Sequence, residues 1–271
     1  MQASLNAINR KLGRAKEKLT TLRGELDAFD AGNPYEVTKE RDSQGGLEAI
    51  RFKVFREPDL DWEVTVGEIA YQVRSLLDQL VTQLVILKGG DPNKHRGSFP
   101  IYVDSEDYWK KTKRGPTVRD TYLKGVRPKH KAIIDGLQPY QRGERMAPHD
   151  PLAALNETCK GDKHRYGHPG RFVLRSSAFV QVSHETETIT VFGGNHGLGD
   201  DLIEDRGTPI DDGADLLPIL RERIEAIDGP VEMDALRVGV AFGPDRVLCP
   251  DLERIIKYVE ERVVARFEPF F

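Results

Sequence analysis

Between residues 2 and 30 apolar side chains recur every three or four positions. They are Leu5, Ile8, Leu12, Leu19, Leu22, Leu26 and Phe29, with Ala15 filling the gap and basic residues between. That period predicts an amphipathic helix of about eight turns, stopped by Gly32-Asn33-Pro34. Its length suits a coiled-coil arm or the first helix of a bundle. Residues 35–57 then alternate apolar and polar around Gly45-Gly46, which predicts a β-hairpin. A second helix is expected near 63–88, where Ile69, Val73, Leu76, Leu77, Leu80, Leu84 and Leu87 make a broad apolar face. Residues 98–103, SFPIYV, read as a short extended piece. Short helices are expected near 129–137 and 150–165, separated by the Pro-broken LQPYQRGE.

From residue 171 the period changes to two. RFVLRSSAFVQVS, TITVF and MDALRVGVAF are expected to be strands. Residues 214–224, ADLLPILRERI, could form a strand or a helix; a strand is the reading taken, at a sheet edge, because Pro218 cannot donate to a ladder. From about 250 Leu252, Ile255, Ile256, Val259, Val263 and Phe267 define a last amphipathic helix. The fold class expected is α+β: an N-terminal helical bundle with an inserted β-hairpin, followed by an antiparallel β-rich region and a C-terminal helix. The divisions fall at 1–168, 169–247 and 248–271, with the hairpin at 35–57 and an acidic loop at 200–215.

Composition narrows the function classes. The 271 residues carry a formal net charge of −4, which argues against a general nucleic-acid coat but permits a local basic patch. Two cysteines, Cys159 and Cys249, exclude a disulfide scaffold and suit a reducing cytoplasm. No run approaches the roughly 20 apolar residues that span a bilayer, so no membrane partner is expected.

The densest reactive chemistry is LNETCKGDKHRYGHPGR, residues 155–171. At about 100° per residue Leu152, Leu155 and Cys159 share one helical face. Asn156 and Lys163 flank that stripe, Asp162 lies on its other side, and His164 projects further round. Lysine and histidine at a helix end also complement its dipole, so helix-end chemistry is the structural alternative. Cys159, His164 and His168 run C-x4-H-x3-H, an incomplete set for a four-ligand zinc site, and no metal or other cofactor is assigned. Arg74 and Asp78 lie four apart on an apolar helix, either as a packing ion pair or with Arg74 facing Asp162 and His164.

Residues 108–132 hold nine Lys or Arg and one acid, Asp120. Lys110, Lys111, Lys113, Arg114 and Arg119, interleaved with Trp109 and Tyr122, have the composition that contacts phosphates and stacks bases. The alternatives are a solvated loop, or an internal partner for the acidic 200–215 segment. FGGNHGLGDD, at 192–201, follows a strand but leads into acids, and reads as a loop rather than a phosphate cradle.

The order RSLLDQLVTQL, SFPIYV, GLQPY and PLAALNETCKGDKHR resembles a group of uncharacterised bacterial proteins with R-x-x-L-D-x-L, L-Q-P-Y and D-K-H-R signatures, over most of 60–170. The helical portion more distantly resembles the HEPN class of helical bundles, many of them metal-independent ribonucleases active as dimers, marked by an Arg and a His near a helix start. Arg142 and His149 are the pair here closest to that mark, with Pro148 between them. The D-K-H-R cluster and the basic, aromatic run motivate an RNA-directed effector, a metal-independent ribonuclease of toxin or phage-defence type. His164 would be its general acid or base, Lys163, Arg165 and Arg74 would stabilise phosphoryl charge, Asp162 would orient a partner, and Asn156 would complete the polar set. A homodimer is expected. The alternative is a non-catalytic interaction module that dimerises or binds a protein partner through the long first helix.

Overall fold

In the computed structural model, which describes residues 2–41, 43, 47–94, 97–164, 170–174, 179–184, 187–192, 208–218, 231–233, 238–242 and 247–271, the first apolar stripe is a helix turned inward. Helix α1 (Asn6–Ala31) buries Ile8, Leu12, Ala15, Leu19, Leu22 and Phe29. They pack against α2 (Asp61–Leu87) and α7 (Cys249–Tyr258). The stripe is thus covered within the chain, and a leucine removed from it would cost about 2–5 kcal/mol. Ion pairs flank it: Lys16 to Glu260 at 2.6 Å, Lys18 to Glu68, and Arg23 to Glu253. Asn33, at φ 49°, turns the chain before Pro34.

Helix α2 is the central element, with twelve buried residues and Asp61 and Glu63 in its first turn, where acids complement the dipole. It stops where Gly89 adopts φ +86° and Gly90 N–H donates to Val85 O at 3.0 Å, a glycine-terminated end. Helix α6 (Pro151–His164) crosses α2. The buried Asp150 opens it, accepting from Leu152 N–H at 2.8 Å, and Pro151 occupies the first turn, where no N–H partner is needed. Three short helices lie between: α3 (Ser105–Trp109), α4 (Val118–Tyr122) and α5 (Pro128–Asp135).

Strands β1 (Tyr35–Arg41) and β2 (Leu47–Val54) form the expected antiparallel hairpin, Tyr35 opposite Val54 and Thr38 opposite Arg51. The Gly45-Gly46 turn lies outside the described residues. The described end of the acidic segment lies along β2. Phe52 N–H donates to Ala214 O at 2.9 Å and Gly213 N–H to Phe52 O at 2.8 Å. Asp212 accepts from Val54 N–H at 2.8 Å, and Asp215 from Ile50 N–H at 3.1 Å. These acids serve the hairpin backbone, while residues 200–207 lie outside the described residues.

One expectation is corrected nearby. Residues 216–218 are helical, not extended. Asp215 Oδ1 accepts from Leu217 N–H at 3.0 Å in the manner of a helix cap. Pro218 then falls in the first turn, where a missing N–H is tolerated. The proline that argued for an edge strand fits a helix start equally well.

The β-rich region forms two antiparallel sheets. One has the order β6 (Thr208–Pro209), β3 (Arg171–Leu174), β8 (Val238–Phe242), β9 (Val247–Leu248); the other has β5 (Glu187–Phe192), β4 (Phe179–His184), β7 (Val231–Met233). RFVLRSSAFVQVS therefore contributes to two different sheets. Phe172 of β3 meets Phe29, Tyr35 and Phe52 with ring centroids 6.2, 5.6 and 5.4 Å apart. One hydrophobic cluster accordingly joins α1, α2, α6, α7, β2, β3 and β8. The chain is a mixed α and β fold, as expected. Beyond α7 the last helix widens into a π turn, Val259–Val263, then tightens into 3-10 turns at Val264–Arg266 and Glu268–Phe270. Among the described residues no helix is long and apolar enough to cross a membrane.

Candidate nucleic-acid interface and the α2–α6 cleft

The basic run folds into two parts. In the first, Lys110 to Val118 doubles back on itself. Thr112 N–H donates to Pro116 O at 2.9 Å, Val118 N–H to Lys110 O at 2.9 Å and Gly115 N–H to Thr112 O at 3.0 Å. Gly115 stands at φ +100°, which a side chain would strain. This small turn presents Lys110, Lys111, Lys113 and Arg114, all exposed, with Trp109 45% exposed beside them. Lys110 lies 3.7 Å from Asp107 in a solvated pair. Among the described residues Lys113 and Arg114 engage no acid.

The second part is a closed network. Arg119, on α4, grips Asp135 with Nε at 3.0 Å and Nη2 at 2.5 Å, and reaches Asp120 with Nη1 at 3.0 Å. Lys131 holds Asp120 at 2.7 Å, and the buried Tyr108 donates its hydroxyl to Asp135 at 2.6 Å. The charge pairing shifts the groups. Hydrogen bonding from Lys131, supported by Thr117 and Arg119, lowers the Asp120 carboxyl from 3.8 to about 2 despite partial burial. Burial, then the bond to Asp135, pushes the Tyr108 phenol upward. Arg119 also lies over the Trp109 ring, 5.2 Å from its centroid, and so supports the indole from behind. Arg119 therefore differs from the four turn cations: its fork is committed inside the fold.

A cleft of about 330 Å³ opens between α2, α6 and the 99–104 segment. Three residues singled out in the sequence, Arg74, Asn156 and Tyr122, share its wall. Arg74 and Asp78 bracket the backbone of one residue. Arg74 Nη2 donates to Phe99 O at 2.7 Å, Asp78 Oδ1 accepts from Phe99 N–H at 2.8 Å, and the pair closes at 3.2 Å. This is the packing role for the ion pair. It leaves Arg74 Nη1, buried, without a hydrogen-bond partner. The carboxylates of the cleft are each engaged: Asp104 caps α3 at Glu106 N–H, 2.7 Å away, Asp107 meets Lys110, and Glu157 meets Lys160 at 2.6 Å. Arg74, Asn156, Tyr102 and Tyr122 are the other polar residues on its wall. Gly97 permits this arrangement: a Cβ there would stand 2.4 Å from the Tyr122 carbonyl oxygen.

Asp162, Lys163 and His164 lie in the last turn of α6, and their side chains lie outside the described residues, as does Arg165 entirely. Cys159 is buried on the core side of that helix. The Arg142 and His149 pair is carried on two 3-10 turns, Pro139–Arg142 and Ala147–His149, and Arg142 Nε donates to the buried Asp150. The FGGNHGLGDD glycines lie outside the described residues from 193 on. Sequence reasoning missed the tyrosine side of the cleft, Tyr102, whose ring lies 6.3 Å from that of Tyr122. It sits within SFPIYV, which carried no periodic signal.

No protein-family model matches the chain, and no curated protein or solved structure is significantly similar to it. The site's chemistry has to be argued from its own residues.

Proposed function

We propose that the protein is an RNA-directed effector, contacting phosphates through Lys110, Lys111, Lys113 and Arg114 and stacking a base on Trp109. The observation that carries the reading is the turn itself: four exposed cations on one hydrogen-bonded loop beside an exposed indole. Solvated cations release counterions on meeting phosphate. An aromatic face accepts any base. Arg119 enters this reading as the support of Trp109 rather than as a phosphate contact.

The finer reading is metal-independent RNA cleavage at the C-terminal end of α6. Arg74 enters it as a cation lining the cleft beside Asn156 of α6. His164 would move the proton, with Lys163 and Arg165 answering charge on the phosphoryl oxygens, Asp162 orienting a partner and Asn156 lining the approach. Incubation of the protein with a mixed RNA pool tests it, with and without EDTA, beside His164→Ala. Cleavage that survives EDTA and falls at least 100-fold in the variant is expected, the scale of lost general acid–base catalysis. Equal cleavage by the variant, or loss on chelation, contradicts it. The other reading, assembly through the first helix, finds its apolar stripe already covered by α2 and α7.

A further inference from the structure

Large apolar side chains stand exposed along the first turns of α2. Leu60, at its N-cap, Val64 and Tyr71 are 66, 61 and 58% exposed. At about 100° per residue they share, with Gly67, an arc of about 60°. Further along the same face the chain covers itself, because Arg74 and Asp78 hold the Phe99 backbone. An apolar stripe of this kind, rimmed by charge, marks a contact surface rather than scattered exposure.

The charges beside the stripe divide by position. Helix α1 runs antiparallel to α2 along one side: Trp62 Nε1 donates to Glu25 at 2.9 Å, Lys18 meets Glu68, and Lys11 Nζ reaches Ser75 Oγ at 2.5 Å. At the Leu60 end, on that side, lies a hollow of about 590 Å³ walled by Glu25, Glu57, Asp59 and Asp61. Its one cation, Arg56, is committed to Phe29, donating to the carbonyl at 2.8 Å with its guanidinium over the ring. At the Tyr71 end the same side carries Lys11, Arg14 and Lys18. Arg14, about 40° round from Lys18 on the helix, is exposed and makes no ion pair among the described residues.

We propose that this stripe is the interface of a homodimer, in which a second copy packs its own α2 antiparallel on the first. A two-fold axis crossing both helices near Val64 and Gly67 sets Leu60 of each copy against Tyr71 of the partner subunit. The axis keeps the α1 sides together and reverses their direction, so the cations of each copy come over the acidic hollow of the other. A parallel pair would set acids level with acids. Charge complementarity thus selects a second copy as the occupant and fixes its direction. The surface is distinct from the covered stripe of α1 and shares no residue with the 110–114 turn.

Sedimentation equilibrium of the wild type, Val64→Lys, Arg14→Glu and Arg14→Glu/Glu57→Arg tests it. Thermal melting of each variant confirms that these exposed substitutions leave the fold intact. The wild type is expected at twice the chain mass at micromolar concentration, and Val64→Lys as a monomer. Arg14→Glu sets like charges against the hollow and should weaken the dimer about tenfold or more. Glu57→Arg in the same chain should recover most of that loss. A wild-type monomer overturns the proposal and leaves the face to a different protein. A dimer that Val64→Lys does not disturb uses another surface, and a dimer that Arg14→Glu does not weaken is not the antiparallel pair; either result also overturns it.

Discussion

The 110–114 turn and helix α4 belong to one basic run, yet their cations meet opposite environments. On α4, Arg119 is drawn down onto Asp135 and Asp120, and Lys131 closes the same network. On the turn, four cations point to solvent around a backbone held by its own hydrogen bonds. The first set fixes the fold and the second is available to a ligand. Charge type alone does not separate the two roles; the position of the nearest carboxylate does.

The largest effect that would sharpen this contrast is at Asp135. Asp135→Ala removes both Arg119 bonds and leaves the Tyr108 hydroxyl without its acceptor. A cost of about 3 kcal/mol is expected in denaturant unfolding, because a partly buried cation loses two of its three carboxylate bonds and keeps only the one to Asp120. A loss under about 0.5 kcal/mol would show that α4 is no more structural than the turn. Tyr108→Phe deletes only one bond of that network and should cost about 1 kcal/mol in the same measurement.

The smallest effect is a pH dependence. Asp120 has its folded pKa lowered to about 2 from 3.8, so its pairing contributes fully above 3.8 and is lost as pH falls from there to about 2. The partly solvated site keeps the contribution at or below about 1 kcal/mol. The stability difference between wild type and Asp120→Asn should shrink across that window, and a difference that grows on acidification would contradict the pairing.

Local periodicity made most of the architecture legible. The first helix was expected over 2–30 and spans Asn6–Ala31; the second was expected over 63–88 and spans Asp61–Leu87. Both carry their signal in their own side chains. Non-local partners were not legible. A window ending at residue 132 shows nine cations and one acid, and the acid that takes the Arg119 fork stands at 135. Asp78 was visible as a partner for Arg74, but not the Phe99 backbone that both of them hold. Pro218 had two readings, and the cap from Asp215 selects the helical one.

The central claim is that the turn, not the network behind it, contacts phosphate. Binding of a single-stranded RNA to the wild type and to a Lys110, Lys111, Lys113 and Arg114 to Gln variant, across a salt series, tests it most directly. For every phosphate that the variant no longer neutralises, the slope of log affinity against log salt should become shallower by about 0.7. The account predicts that the variant binds at least about tenfold more weakly at low salt, with a shallower slope, and that its unfolding free energy stays within about 0.5 kcal/mol of the wild type. Unchanged affinity and slope in a folded variant would contradict it.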